Sequence, residues 1–231
     1  MQAPLKNMER MEEHVVGAND QALQYMLTDA QWDEHVVMEQ VAREADQRLG
    51  GSEHSCLIID ESSFIKKGKH SVGVARQWSG RLGKVDNCQV GVFATMGRGD
   101  RATVVDFRLY LPKKWSSDEL RCKKAGVPTD LRAFKTKAEL ALEMVKSLRD
   151  RGSRFAWTGV DGGYGKEPAF LRGLDAMNEV FVADIHKDQL IYLDDPDPIV
   201  PPRKSHKGKK PTKHRAQTDA IRVDAWVAQQ P

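Results

Sequence analysis

The apolar positions change period near residue 50. Across residues 4–48 they recur at helical spacing, with Val36, Val37, Val41 and Ala45 on one face. Neither Gly nor Pro interrupts the stretch between Ala18 and Leu49, so a helical amino-terminal segment is expected, stopped by Gly50-Gly51. Cys56-Leu57-Ile58-Ile59 is then a short apolar run closed by Asp60, the pattern of a buried strand. Asn87 to Met96 and Ala102 to Leu111 are rich in β-formers, and Gly97-Arg98-Gly99-Asp100 between them supplies a hairpin turn. Thr136 to Arg151 predicts an amphipathic helix. Thr136 is its cap, Glu139 stands at the capping-box position, and Leu140, Met144, Val145 and Leu148 form the stripe. Phe155 to Val160 is a second apolar strand, closed by Asp161. Gly162-Gly163-Tyr164-Gly165 leads into a helix over 167–178, and Val180 to Ile185 is the last strand.

Three strands, a helix, a strand, a helix and a strand (βββαβαβ) is the element order of an α/β, RNase H-like core. The expected division is a helical segment over 1–52, the core over 53–188 and a Pro/Lys-rich segment over 189–231. With 40% hydrophobic and 30% charged residues in 231, the chain can build a core. No apolar run reaches the roughly 18 residues of a membrane span. The amino terminus has no signal core, and Cys56, Cys88 and Cys122 make no disulfide framework, so a cytoplasmic location is expected. The net charge of +3 hides an asymmetry: residues 1–50 carry 4 basic and 10 acidic side chains, residues 51–231 carry 32 and 23. The basic body suits a polyanionic partner.

Asp60 and Asp161 close two core strands. An RNase H-like sheet sets its first and fourth strands side by side, so the two carboxylates would converge. Paired carboxylates hold Mg2+ or Mn2+, and two such ions, roughly 3.5–4 Å apart, can drive phosphodiester chemistry. On spacing alone, the reading of both as ordinary loop-entry acids stays open. Lys66, Lys67, Lys69 and Arg76 follow Asp60 in a stretch (62–85) without an acid and suit phosphate contact. Lys204, Lys207, Lys209 and Lys210 belong to a second basic run (203–215), open to phosphate contact or to plain solvation. Neither run shows side chains arranged for reading base edges. Gly162–Lys166 lacks the spacing of a phosphate loop, because Glu167 stands where Ser or Thr is required.

The stretches IIDESSFIKKGKHSVGVARQWSGRLGKVDNCQVGVF (58–93), RLYLPKKW (108–115), KAGVPTDL (124–131), FKTKAELALEMV (134–145) and VDGGYGKEPAFLRGL (160–174) are colinear with a known pattern. The chain resembles, over residues 5–231, the DDE transposases of bacterial insertion sequences, in the DDE-superfamily endonuclease branch related to the IS4-like group. The resemblance implies an RNase H-like fold, two divalent metal ions, and cleavage and joining of transposon-end DNA without a covalent protein intermediate. It makes Asp60 and Asp161 the first two catalytic acids. It also implies DNA partners, both transposon end and target, and a homo-oligomer. The family's third acid is a Glu on a helix beyond the fifth strand, often after an inserted segment. Here the chain departs: Glu179, its last glutamate, precedes the final core strand. Glu61 neighbours Asp60 but projects to the opposite face of a continuing strand. The expectation is a truncated transposase, inactive alone, whose residues 189–231 begin an insertion. The rival is a non-catalytic DNA-binding protein that regulates transposition.

Overall fold

The computed structural model describes residues 12–14, 16, 17, 19–203 and 208–230. The chain divides into two compact units, Met1–Val41 and Ala42–Pro231. In the first, helix α1 (Asp20–Thr28) is capped by the Asn19 side chain, which accepts from the Ala22 amide at 2.9 Å. Helix α2 (Glu34–Leu49) begins within the first unit and ends in the second. The helical period therefore does not run unbroken to residue 48. It is interrupted over 29–33, where Asp33 accepts from the His35 amide at 2.8 Å and starts a new helix.

Strand β1 (Cys56–Ile65) lies at the centre of the sheet. On one side it pairs antiparallel along its whole length with β3 (Lys84–Arg98), and on the other it pairs parallel with β5 (Trp157–Val160). The far edge of β3 is shared: its first residues pair with β2 (Ala75–Ser79), its later ones with β4 (Arg101–Leu109). Strand β6 (Phe181–Ala183) extends the sheet beyond β5. The β3–β4 hairpin turns at Gly99, whose φ of +62° is a conformation a side chain would strain. This mixed sheet is consistent with an RNase H-like core. Strand β2 is an addition to the expected order.

Two differences from the sequence reading have clear causes. β1 does not stop at Ile59, because Glu61 to Ile65 continue pairing with Val92 to Cys88 of β3. Asp60 thus sits within a strand, and what ends at Ile59 is only the parallel ladder to β5. Residues 112–135, which the sequence reads as a polar, Lys-rich excursion between the β-rich segments and the amphipathic helix, are not irregular. They fold into α3 (Lys113–Ser116), α4 (Glu119–Lys124) and a 3-10 turn (Thr129–Leu131) around a small core of Leu111, Trp115, Cys122 and Val127. Trp115 anchors it, donating from Nε1 to the Val74 carbonyl at 2.8 Å under the Arg121 guanidinium.

Helix α5 (Lys137–Asp150) covers one face of the sheet with Leu140, Ala141, Met144, Val145 and Leu148. A single turn, α6 (Gly162–Gly165), leads into α7 (Pro168–Ala176), which adds Phe170 and Leu174 to the same core. Burial alternates along β1: Leu57, Ile59 and Ser63 are buried, whereas Ile58, Asp60, Ser62 and Phe64 face outward. The chain ends with a two-stranded ladder, β7 (Leu190–Ile191) with β8 (Ile221–Arg222), and helix α8 (Val223–Val227).

Candidate metal centre

Two acids meet where the β1–β5 ladder ends. Its last pair is Ile59 with Val160, and the next residue on each strand is Asp60 and Asp161. Asp161 keeps an extended backbone (φ −80°, ψ 177°), so the register carries one step further and sets the acids side by side. Asp161 then caps α6, its Oδ1 accepting from the Gly163 amide at 3.0 Å. Glycine is required in this turn. A Cβ on Gly165 would lie 1.9 Å from the Asp184 carbonyl oxygen, so α6 presses directly on the end of β6.

Asp60 is the acid held in an unfavourable setting. Loss of water holds the Asp60 carboxyl above the usual carboxylate range; the Glu61 amide, donating to Oδ1 at 2.7 Å, opposes this, and the charges of Asp161 and Glu61 add to it. A divalent cation between Asp60 and Asp161 would relieve that repulsion, and carboxylate oxygens are the donors Mg2+ and Mn2+ prefer. The two residues therefore fit as part of a hard-cation site. They do not complete one: among the described residues no group of three or more His, Cys, Asp or Glu side chains could hold a metal ion. Glu179 and Asp106 are both engaged elsewhere. Glu179 takes a bidentate bond from Arg149 at 2.6 and 2.8 Å. Asp106 is buried between Arg108 and Arg151.

Beneath the acids, on the helix-covered side, lies a group that no sequence motif marks. Glu61 accepts from Lys137 Nζ at 2.5 Å and from the Tyr164 hydroxyl at 3.4 Å. Tyr164 is buried against Phe170, their ring centroids 5.6 Å apart. Burial first, and then the charges of Glu61, Asp60 and Asp161, push its hydroxyl well above the usual phenol range, so it remains a neutral donor.

The basic residues that follow β1 lie away from the acids. Lys66 is half-buried and Lys67, Lys69 and Arg76 are exposed, in the loop after β1 and on β2. Along an extended strand, six residues from Asp60 to Lys66 span roughly 20 Å. The loop is fixed rather than loose: the Asn87 side chain donates to the carbonyls of Lys66 and Gly68, at 2.5 and 3.0 Å, and Arg121 donates to that of Lys69 at 2.8 Å. Lys209 and Lys210 are exposed in a loop closed by the Ile199–Arg215 bridge. Lys204 and Lys207 lie outside the described residues. Among the described residues no helix is long and apolar enough to cross a membrane.

The family described as DDE superfamily endonuclease matches residues 1–230. A curated protein of Microchaete diplosiphon named "Probable transposase for insertion sequence element IS701" is 30% identical over 181 residues, which is 76% of this chain and 43% of that protein. The chain thus spans less than half the length of the curated relative it matches.

Proposed function

The chain belongs to the DDE superfamily endonucleases, and we propose that it is the front part of an insertion-sequence transposase carrying two of three metal-holding acids. The observation that carries this is the register of β1 against β5, which brings Asp60 beside Asp161 on the sheet. In this reading both carboxylates are ligands of Mg2+ or Mn2+. When bound in a completed two-ion site, such ions activate water or a 3′-hydroxyl and stabilise the leaving oxygen of a phosphodiester. Asp60 would contribute from a strand paired at that position with Phe93 of β3, and Asp161 from the cap of α6.

Lys66, Lys67, Lys69 and Arg76 would hold the DNA backbone about six base pairs from the acids, at 3.4 Å per step. Lys209 and Lys210, with Lys204 and Lys207, would add a second phosphate contact. These contacts position DNA without reading its sequence. Transposon end and target would both be partners, and pairing of two ends would require a homo-oligomer.

Three observations support the view that this chain is truncated. No third acid joins the pair among the described residues. The relative is more than twice as long as the stretch it shares. The sheet face bearing Asp60 is apolar and open. The Pro/Lys-rich segment after residue 188 then reads as the start of an insertion, ahead of a helix that would carry the missing glutamate.

Electron paramagnetic resonance titration with Mn2+ tests the assignment. The chain should bind a single ion weakly, and Asp60→Asn or Asp161→Asn should abolish that binding. Equal Mn2+ binding by the chain and either variant removes the metal assignment. The isolated chain should not cut duplex DNA carrying its element's ends, and Asp60-dependent cutting would refute the truncated reading. A second reading, a non-catalytic regulator that occupies transposon ends, is favoured by the separation of the basic loop from the acids. It keeps DNA affinity unchanged in Asp60→Asn. In either case the four cations after β1 alone give a slope of log affinity against log salt of roughly −3 to −4, and engagement of the second basic run would steepen it.

A further inference from the structure

The β1–β5 ladder stops one residue short of the acids, which repel each other across the gap. Beyond Ile59, β1 stays with β3 while the chain of β5 turns away into α6. No pair of the β1–β5 ladder reaches past Ile59 and Val160. The Tyr164 hydroxyl crosses that gap to Glu61, the neighbour of Asp60. Tyr164 is itself fixed to Asp161, because its amide donates to the Asp161 carbonyl at 3.1 Å and its ring is buried against Phe170. Lys137 Nζ closes the group from the start of α5, bonding the other Glu61 oxygen.

We propose that Tyr164 and Lys137, acting through Glu61, are positioning residues that set the spacing of Asp60 from Asp161. The inference rests on reading those two acids as metal ligands. Its geometry stands apart from that reading: one hydroxyl and one ammonium on the covered side of the sheet fix two carboxylates on the open side. In that reading both act through Glu61 rather than on the ion. Loss of such supporting bonds typically weakens a metal site by about tenfold or more.

Two measurements on the full chain separate the positioning from the metal assignment. In the first, Mn2+ affinity is compared in the chain, Tyr164→Phe, Lys137→Met and Lys137→Arg. Tyr164→Phe and Lys137→Met should each weaken binding by about tenfold, with Lys137→Arg close to the original chain because it restores the cation. The second measurement needs no metal. Asp60→Cys and Asp161→Cys are introduced together with Cys56→Ser, and the chain is equilibrated with glutathione. Two thiols are oxidised to one protein disulfide as glutathione disulfide is reduced to two glutathione thiols, and the equilibrium gives the effective concentration of the pair. Adding Tyr164→Phe should lower that concentration by a similar factor, with circular dichroism unchanged. If it is unaffected, or if no disulfide forms in either background, the positioning role is overturned. A fall in effective concentration in a chain that binds no Mn2+ upholds the positioning role and removes the metal assignment instead.

Discussion

Glu179 is the last glutamate of the chain and the one acid that a search for a third ligand would try first. Its side chain is only 5% exposed, and both oxygens are held by Arg149, whose guanidinium also lies over the Phe155 ring at 3.4 Å. Glu179→Gln leaves that cation without its counter-charge. It should cost about 2 kcal/mol in urea unfolding, since one partner of a mostly buried pair is removed, while Mn2+ affinity stays unchanged. A fall in Mn2+ affinity with stability intact would make Glu179 a ligand after all. Gly165→Ala acts by steric force: with a carbonyl oxygen 1.9 Å from the new Cβ, it should destabilise by about 3 kcal/mol in the same measurement. At this scale the adjacency of Asp60 and Asp161 was legible because each closes an apolar run. Glu61, Lys137 and Tyr164 were not, because 76 and 103 residues separate the partners and only the folded sheet brings them together.

Elements were legible where local chemistry decides them. The α5 capping box forms as the sequence implies: the Glu139 amide donates to Thr136 Oγ1 at 3.2 Å, and the Glu139 carboxylate takes the Thr136 amide at 2.6 Å. Thr136→Ala should lower unfolding stability by about 1 kcal/mol. The bonds from the Thr136 amide and hydroxyl hold the Glu139 carboxyl below its usual range. Its contribution is therefore fully present above the ordinary glutamate pKa and is lost as pH falls through the lowered folded value. Melting temperatures followed downward from pH 5 should fall less steeply in Glu139→Gln, which keeps an acceptor but does not titrate. A parallel decline in both proteins would show that the cap carries no pH dependence. Elements set by distant pairing were harder to see. β1 runs on through Asp60-Glu61-Ser62-Ser63 because β3 lies alongside, not because those residues favour strand. The α3–α4 region looked irregular because its core rests on four scattered apolar side chains rather than a periodic stripe.

At the scale of the second unit, the described residues cover the sheet on one face only. α5 and α7 bury the side that carries Leu57, Ile59 and Val160. The opposite side leaves Ile58 37%, Phe64 48%, Phe107 39% and Val182 60% exposed. These residues are continuous across the strands. Ile58 is in register with Gly159 and Gly159 with Val182, while Phe93 joins Phe64 to Phe107 with centroids 6.2 and 6.3 Å apart. A sheet face left to water ordinarily carries polar residues, so an open apolar surface of this kind marks a place for another polypeptide. Asp60 stands among these residues, so whatever covers them also closes over the acids. In the reading proposed above, the segment that supplies the third carboxylate would also supply that cover. The chain alone should therefore enhance the fluorescence of the apolar dye ANS while still unfolding cooperatively. Phe107→Lys with Val182→Lys should remove most of that enhancement and shift the unfolding free energy by less than about 1 kcal/mol, because both side chains are already exposed. A chain that leaves ANS dark would mean its own residues cover the face. The missing cover could then no longer count as a reason to place the third acid on a following helix.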